Sequence, residues 1–227
     1  MYKYRAEITK DEEIRYISHL DYASAVERAI CRAHLPAAYS EGFNPHMKLA
    51  FASALAVGVT SDAEYMDFEL TKPLCQPEVF DCLRAHLPQG IRLMRLKDFE
   101  GRHKALMSVV DLAQYDIRVA FDGDEAAAVR AVQDFNAAEE FVYTRITPKK
   151  TREIEVKQYV QQPLEMHIEP HEMILSMDII ITQSGSIKPS EVLTILRKDF
   201  AMPVEEQKAL IHRRALLSGG RPPIDLV

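Results

Sequence analysis

The apolar residues of this chain change period in the same order twice, and that repeat limits the fold more than any single motif does. Tyr2, Tyr4, Ala6 and Ile8 alternate with Lys3, Arg5 and Glu7, the period-two signature of a half-buried strand. Ser18-His19-Leu20-Asp21 reads as a capping box, and behind it Ala23, Val26, Ile30 and Ala33 recur at helical spacing until Pro36 stops the run. Leu49 to Leu55 read as a short strand broken at Gly58 and Ser61, and Met66, Phe68 and Leu70 as the next. Val79, Phe80, Leu83 and Leu87 mark a helix between Pro77 and Pro88, and Ile91, Leu93 and Leu96 a closing strand. The order is β-α-β-β-α-β, the split pattern of a ferredoxin-like sandwich.

The pattern lapses between residues 101 and 112 and then restarts. Tyr115, Ile117 and Val119 alternate. Asp122 or Asp124 caps a helix that buries Ala128, Ala131, Val132 and Phe135. Ile154 and Val156 are assigned to the second strand, and Met173, Leu175, Met177 and Ile179 to the third. Pro189-Ser190-Glu191 opens a helix, proline being welcome in a first turn, and Ala209 to Leu217 close the unit. The expected class is therefore α+β, with tandem ferredoxin-like units over residues 1–100 and 113–227 and a linker at 101–112.

Bulk properties exclude several functions. None of the apolar runs is long enough to span a bilayer, and the charged N-terminus is no apolar signal sequence, so the expected location is cytoplasmic, without membrane association. The formal charge of −6 argues against blanket binding to nucleic acid but leaves room for a local basic face. Cys31, Cys75 and Cys82 match no zinc or iron–sulfur spacing, and the expectation is reduced thiols packed as small hydrophobes, with no metal and no cofactor. Glycine fingerprints for nucleotide phosphates, the nucleophile elbow and the HExxH zinc motif are all missing from the sequence. His167, Glu169 and His171 could be drawn as metal ligands on one strand face, but Pro170 interrupts that strand.

The candidate binding residues cluster early. His19 and Asp21 stand at the start of the first helix, beside backbone N–H groups that favour anions; the bland reading is a surface His and a capping carboxylate. Arg28 and Arg32, four apart, can fork onto phosphates or simply form a solvated face beside Glu27. The loop Tyr39-Ser40-Glu41-Gly42-Phe43-Asn44-Pro45-His46, with Lys48 after it, gathers aromatic, acidic, amide and basic groups; its bland reading is a crossover loop with Phe43 in the core. This loop is expected to lie against the start of the first helix. Lys149, Lys150 and Arg152 make a second basic spot and His212-Arg213-Arg214 a third.

The run Tyr16-Ile17-Ser18-His19-Leu20-Asp21, with Glu27-Arg28-Ala29, Arg32-Ala33, Leu35-Pro36 and Tyr39 through His46, resembles a bacterial family of radical-SAM-linked proteins. The likeness continues through Val57-Gly58-Val59, Ser61 and Ala63-Glu64-Tyr65 to Lys188-Pro189-Ser190-Glu191-Val192-Leu193, with Met47 and Lys188 where the family often carries proline and arginine. The resemblance implies a domain of unknown function that is the partner of, or is fused to, a cobalamin-binding radical S-adenosylmethionine enzyme. Such an enzyme needs three closely spaced cysteines for its cluster, which this chain does not supply.

The leading expectation is a non-catalytic recognition protein that binds RNA and works with that enzyme. Fold analogy supports it, since ferredoxin-like sheets often display one face to RNA. Two alternatives stand beside it. One is a metal-independent endoribonuclease resembling CRISPR-RNA-processing enzymes, with His19 as general acid or base. The other is a pure protein–protein adaptor.

Overall fold

A computed structural model describes residues 1–101, 103–148 and 150–227. The chain divides into two units, Met1–Val110 with Ala215–Val227, and Asp111–Arg214. The division falls inside the expected linker, and the last residues belong with the first unit rather than the second.

In the first unit the elements are β1 (Tyr2–Lys10), α1 (His19–Arg32), β2 (Leu49–Phe51), β3 (Val59–Leu70), α2 (Gln76–His86) and β4 (Leu93–Phe99). The sheet runs β4-β1-β3 with β2 on the far side of β3, all antiparallel. Ser61 does not break a strand; it is fully buried within β3, which starts two residues before it. Ser18 caps α1, its hydroxyl accepting from the Asp21 N–H at 3.2 Å and donating to the Asp21 carboxylate at 2.7 Å. Tyr22, Val26, Ala29 and Ile30 of α1 and Val79 and Leu83 of α2 bury one helix stripe each against Tyr4, Ala6, Ile8, Met66, Phe68 and Leu70 of the sheet.

The other face of this sheet is charged and covered by the unit's own C-terminus. The Arg5 guanidinium donates to both Asp67 carboxylate oxygens (2.7 and 2.8 Å) and to the Pro223 carbonyl (2.9 Å), and lies over the Phe99 ring. Asp225 accepts from Arg95 at 3.0 Å, and Ile224, next to it in the chain, is buried.

The second unit repeats the order with one insertion: β5 (Leu112–Ala120), α3 (Glu125–Ala137), the hairpin β6 (Val142–Thr147) and β7 (Lys150–Glu155), then β8 (Glu165–Glu169), β9 (Glu172–Ile180), α4 (Pro189–Asp199) and β10 (Leu210–Leu217), whose last three residues count with the first unit. Its sheet runs β10-β5-β9-β8, the same strand order as in the first unit, and β6–β7 is a separate two-stranded sheet. The expected second strand at Ile154 and Val156 is thus corrected: Ile154 lies on the inserted hairpin, Val156 starts a short turn, and β8 takes the sheet position. Asp124, not Asp122, caps α3, accepting from the Ala127 N–H at 3.1 Å. Glu191 closes a capping box at α4 by accepting from the Lys188 N–H at 2.8 Å, and also holds Arg145 at 2.7 Å.

Burial raises the phenol pKa of Tyr4, Tyr22 and Tyr65 above the ordinary 10.0, and at Tyr65 the Glu7 carboxylate adds to it. Desolvation lowers the ammonium pKa of Lys10 and Lys157 from 10.5. The lysines make stability rise with pH only up to 10.5, above which both states are neutral there. From about pH 10 upward the unfolded chain releases its phenolic protons while the folded chain retains them, so this contribution makes stability fall as pH rises, unopposed once the lysine contribution has ended. The urea midpoint should therefore drop between about pH 10.5 and 12, and Tyr65→Phe should flatten the drop. A midpoint that holds steady over that range contradicts this reading.

Candidate functional site

The loop after α1 is a closed hairpin. Tyr39 bridges Met47, the Ser40 N–H donates to the His46 carbonyl at 2.8 Å, and the His46 N–H donates to the Ser40 hydroxyl at 2.9 Å. Below this neck, Ala38 and Lys48 bond to each other and to Glu69 of β3. Gly42 sits at φ +120°, a region that L side chains rarely adopt, and lets the tip turn back. Residues 41–46 are all exposed, and Phe43 is fully so at 112%. The core reading of Phe43 is therefore wrong. Its place in the interior is taken by Met47, which ends the hairpin and is buried.

The hairpin lies along the second half of α1 and not against its start. Together they form a groove of about 430 Å³ lined by Glu27, Arg28, Cys31 and Arg32 from the helix and by Tyr39, Pro45, His46 and Met47 from the hairpin. His19 lies roughly 14 Å along the helix axis from Arg28, at 1.5 Å per residue, and its ring packs edge-on against Phe51 of β2 at 5.2 Å. Four of the ten expected residues, Arg28, Arg32, Tyr39 and His46, thus share one concavity. The other six do other things. Asp21 is the capping partner of Ser18, Ser40 fastens the neck, and Glu41 and Asn44 are exposed at the tip. Lys48 sits 3.4 Å from the Glu69 carboxylate.

Within the groove Arg28 is exposed, and its side chain has no hydrogen bond or ion pair among the described residues. Arg32 donates to the His86 carbonyl at the end of α2 (2.7 Å), which fixes its guanidinium while leaving the residue exposed. Cys31 is exposed rather than packed, its sulfur 3.8 Å from the Tyr39 hydroxyl, and that contact leads in raising the Tyr39 pKa. Helical spacing carries the signal for Cys31: it follows Glu27 by four and Arg28 by three, so all three share a face. Cys75 is likewise exposed, which corrects the expectation of packed thiols for Cys31 and Cys75, whereas Cys82 is half-buried against the core.

Several members of the remaining basic spots are engaged. Arg152 donates to the Ser184 carbonyl at 3.0 Å, Lys150 is exposed at the start of β7, and Lys149 lies outside the described residues. Arg213 is buried with the Tyr115 hydroxyl as acceptor at 2.8 Å, so the exposed-strand reading of that spot fails for it, whereas Arg214 is exposed on the same strand and pairs with Asp116 at 3.0 Å. His171 occupies the Pro170-His171 turn between β8 and β9 at φ +65° and bonds Asp122 at 2.6 Å, apart from the strand positions of His167 and Glu169.

Sequence reading missed a buried polar group beneath the start of α1. Lys10 is 1% exposed and donates to the Arg15 and Ile17 carbonyls at 3.0 and 3.2 Å, while Glu64, 2% exposed, lies close enough to favour its charged form. Arg15 in turn exchanges two hydrogen bonds with Gly58, which at φ +84° needs to be glycine. Several residues of the recognisable motifs, Gly58, Glu64 and Glu191 among them, thus hold backbone or partner charges in place.

Neither sheet offers its outer face to a polyanion. That of the first unit carries the C-terminal residues. That of the second presents Asp116, Asp178, Glu165, Glu169 and Glu172 by strand register, against Arg118 and Arg214, which are paired with Glu172 and Asp116.

Two successive β-α-β-β-α-β units, the second with an inserted hairpin, define an α+β protein of the tandem ferredoxin-like class. The chain belongs to the bacterial family described as "uncharacterized protein conserved in bacteria" (DUF2344), which matches residues 3–189. No curated protein matches the chain. Among solved structures it is similar to a chain in the crystal structure of a Cbf5-Nop10-Gar1 complex, at 10% identity and a TM-score of 0.48, over 92% of this chain and 48% of that one. It thus spans about half the length of that chain. It is also similar, at 11% identity and a TM-score of 0.27, to an unknown protein from Galdieria sulphuraria, over 93% of this chain and 98% of that one. Among the described residues no helix is long and apolar enough to cross a membrane.

Proposed function

We propose that this protein is a non-catalytic cytoplasmic accessory that binds RNA in the groove between α1 and the 39–47 hairpin and presents it to a radical S-adenosylmethionine enzyme. The observation that carries the RNA reading is the meeting of Arg28, Arg32 and His46 with Tyr39 in one concavity, below a loop tip that exposes Phe43. Cationic and aromatic groups side by side are what a backbone phosphate and an adjacent base require. The partner is supported by the resemblance of the Tyr16–Asp21 and Tyr39–His46 runs to the radical-SAM-linked proteins.

The test is binding of labelled single-stranded RNA, with and without the purified radical S-adenosylmethionine enzyme. With about two arginine contacts the slope of log affinity against log salt should be near −1.4, and Arg28→Ala should weaken binding of all sequences alike and flatten the slope by about 0.7. Absence of binding at low salt, with the enzyme present or not, turns the reading to a protein–protein adaptor. Cleavage of the RNA that His19→Ala abolishes would make the protein an endoribonuclease.

A further inference from the structure

We infer that the RNA segment taken by this groove is unpaired, with one base stacked on the Phe43 ring and the neighbouring phosphate held at Arg28 and His46; this rests on the RNA reading above. Three features of the hairpin carry it. Phe43 contributes nothing to the interior, being fully exposed at the tip. The tip is nonetheless fastened at its neck by the paired Ser40–His46 bonds and the Tyr39–Met47 bridge, so ordering Phe43 against a ligand costs little further chain entropy. Finally, Phe43 is only two residues from Pro45, which lines the groove, so their backbones lie within about 7 Å of each other.

A base inside a duplex has both faces covered by its neighbours, so an aromatic tip of this kind can be used only by an unstacked nucleotide. The same surroundings limit the contact to a short stretch of backbone. Glu27 lines the groove beside Arg28, and Glu41 stands exposed two residues before Phe43, so each opposes a second and third phosphate. The surface is built for one nucleotide and its flanks, not for a long polyanion track.

The chain has no tryptophan, so Phe43→Trp places a single indole reporter at the tip. Adding a ten-nucleotide single-stranded RNA should quench its emission with the midpoint that anisotropy gives for the same RNA. The same sequence annealed to its complement should leave the emission unchanged. Phe43→Ala should weaken single-strand binding about tenfold and change duplex binding little. Equal binding of the two forms, unaffected by Phe43→Ala, overturns this inference and leaves the groove reading standing. Failure of the wild-type protein to bind any RNA overturns both. An indole signal that answers to the radical S-adenosylmethionine enzyme and not to RNA also overturns it, and makes Phe43 an anchor for protein.

Discussion

Replacing Arg5 by alanine is expected to destabilise the protein by about 3–5 kcal/mol, the range for breaking a buried ion pair from one side. Arg5 is 2% exposed, and its guanidinium serves two acceptors at once, the Asp67 carboxylate and the Pro223 carbonyl. Removing it leaves Asp67, itself only 23% exposed, without its cation and frees the segment that covers the outer face of the first sheet. Urea unfolding measures the loss, and hydrogen exchange should show faster exchange over Pro223–Val227. Arg92→Ala is the control: its pair with Asp11 is more than half exposed on the arginine side and should cost no more than about 1 kcal/mol. If Arg5→Ala costs as little as Arg92→Ala, the buried pair does not hold this face together.

Lys10→Met should cost about 3 kcal/mol despite preserving the length of the side chain. The ammonium group is the donor for the Arg15 and Ile17 carbonyls, so the methionine leaves two carbonyls of the β1–α1 connection without it and removes the positive charge beside buried Glu64. The damage should be local as well as global. Amides from Tyr16 to His19 should exchange faster in the variant, while those of the 39–47 hairpin, fastened to α1 by other contacts, should not. A variant as stable as the wild type would mean that water serves those carbonyls equally well, and would remove Lys10 from any role in setting the start of α1.

The elements themselves were legible because each is written in short-range order. Ser18 and Asp21 announce the start of α1, alternation announces β1, β5 and β9, and Pro189 with Glu191 announces α4. Two copies of that order were enough for the class of fold. Periodicity says that a segment is a strand, however, and not which strand lies beside it. Ile154 therefore read as a sheet strand, although it pairs with Tyr143 in an inserted hairpin and β8 fills the sheet.

The candidate site was half legible for the same reason. Arg28 and Arg32 share a face by helical spacing, and the Tyr39–His46 loop declares itself by composition, so both halves were visible in the sequence by itself. Which turn of α1 the loop would meet was decided by the Tyr39–Met47 bridge and by the pairing of β2 with β3, contacts between residues far apart in the chain. Tertiary structure likewise decided that Arg5, Lys10 and Glu64 are interior and Phe43 is not. Residue type alone predicts the reverse, since charge favours water and an aromatic ring favours burial. A buried charge persists only where a partner from elsewhere in the chain compensates its lost hydration, and that partner exists only once the chain has folded.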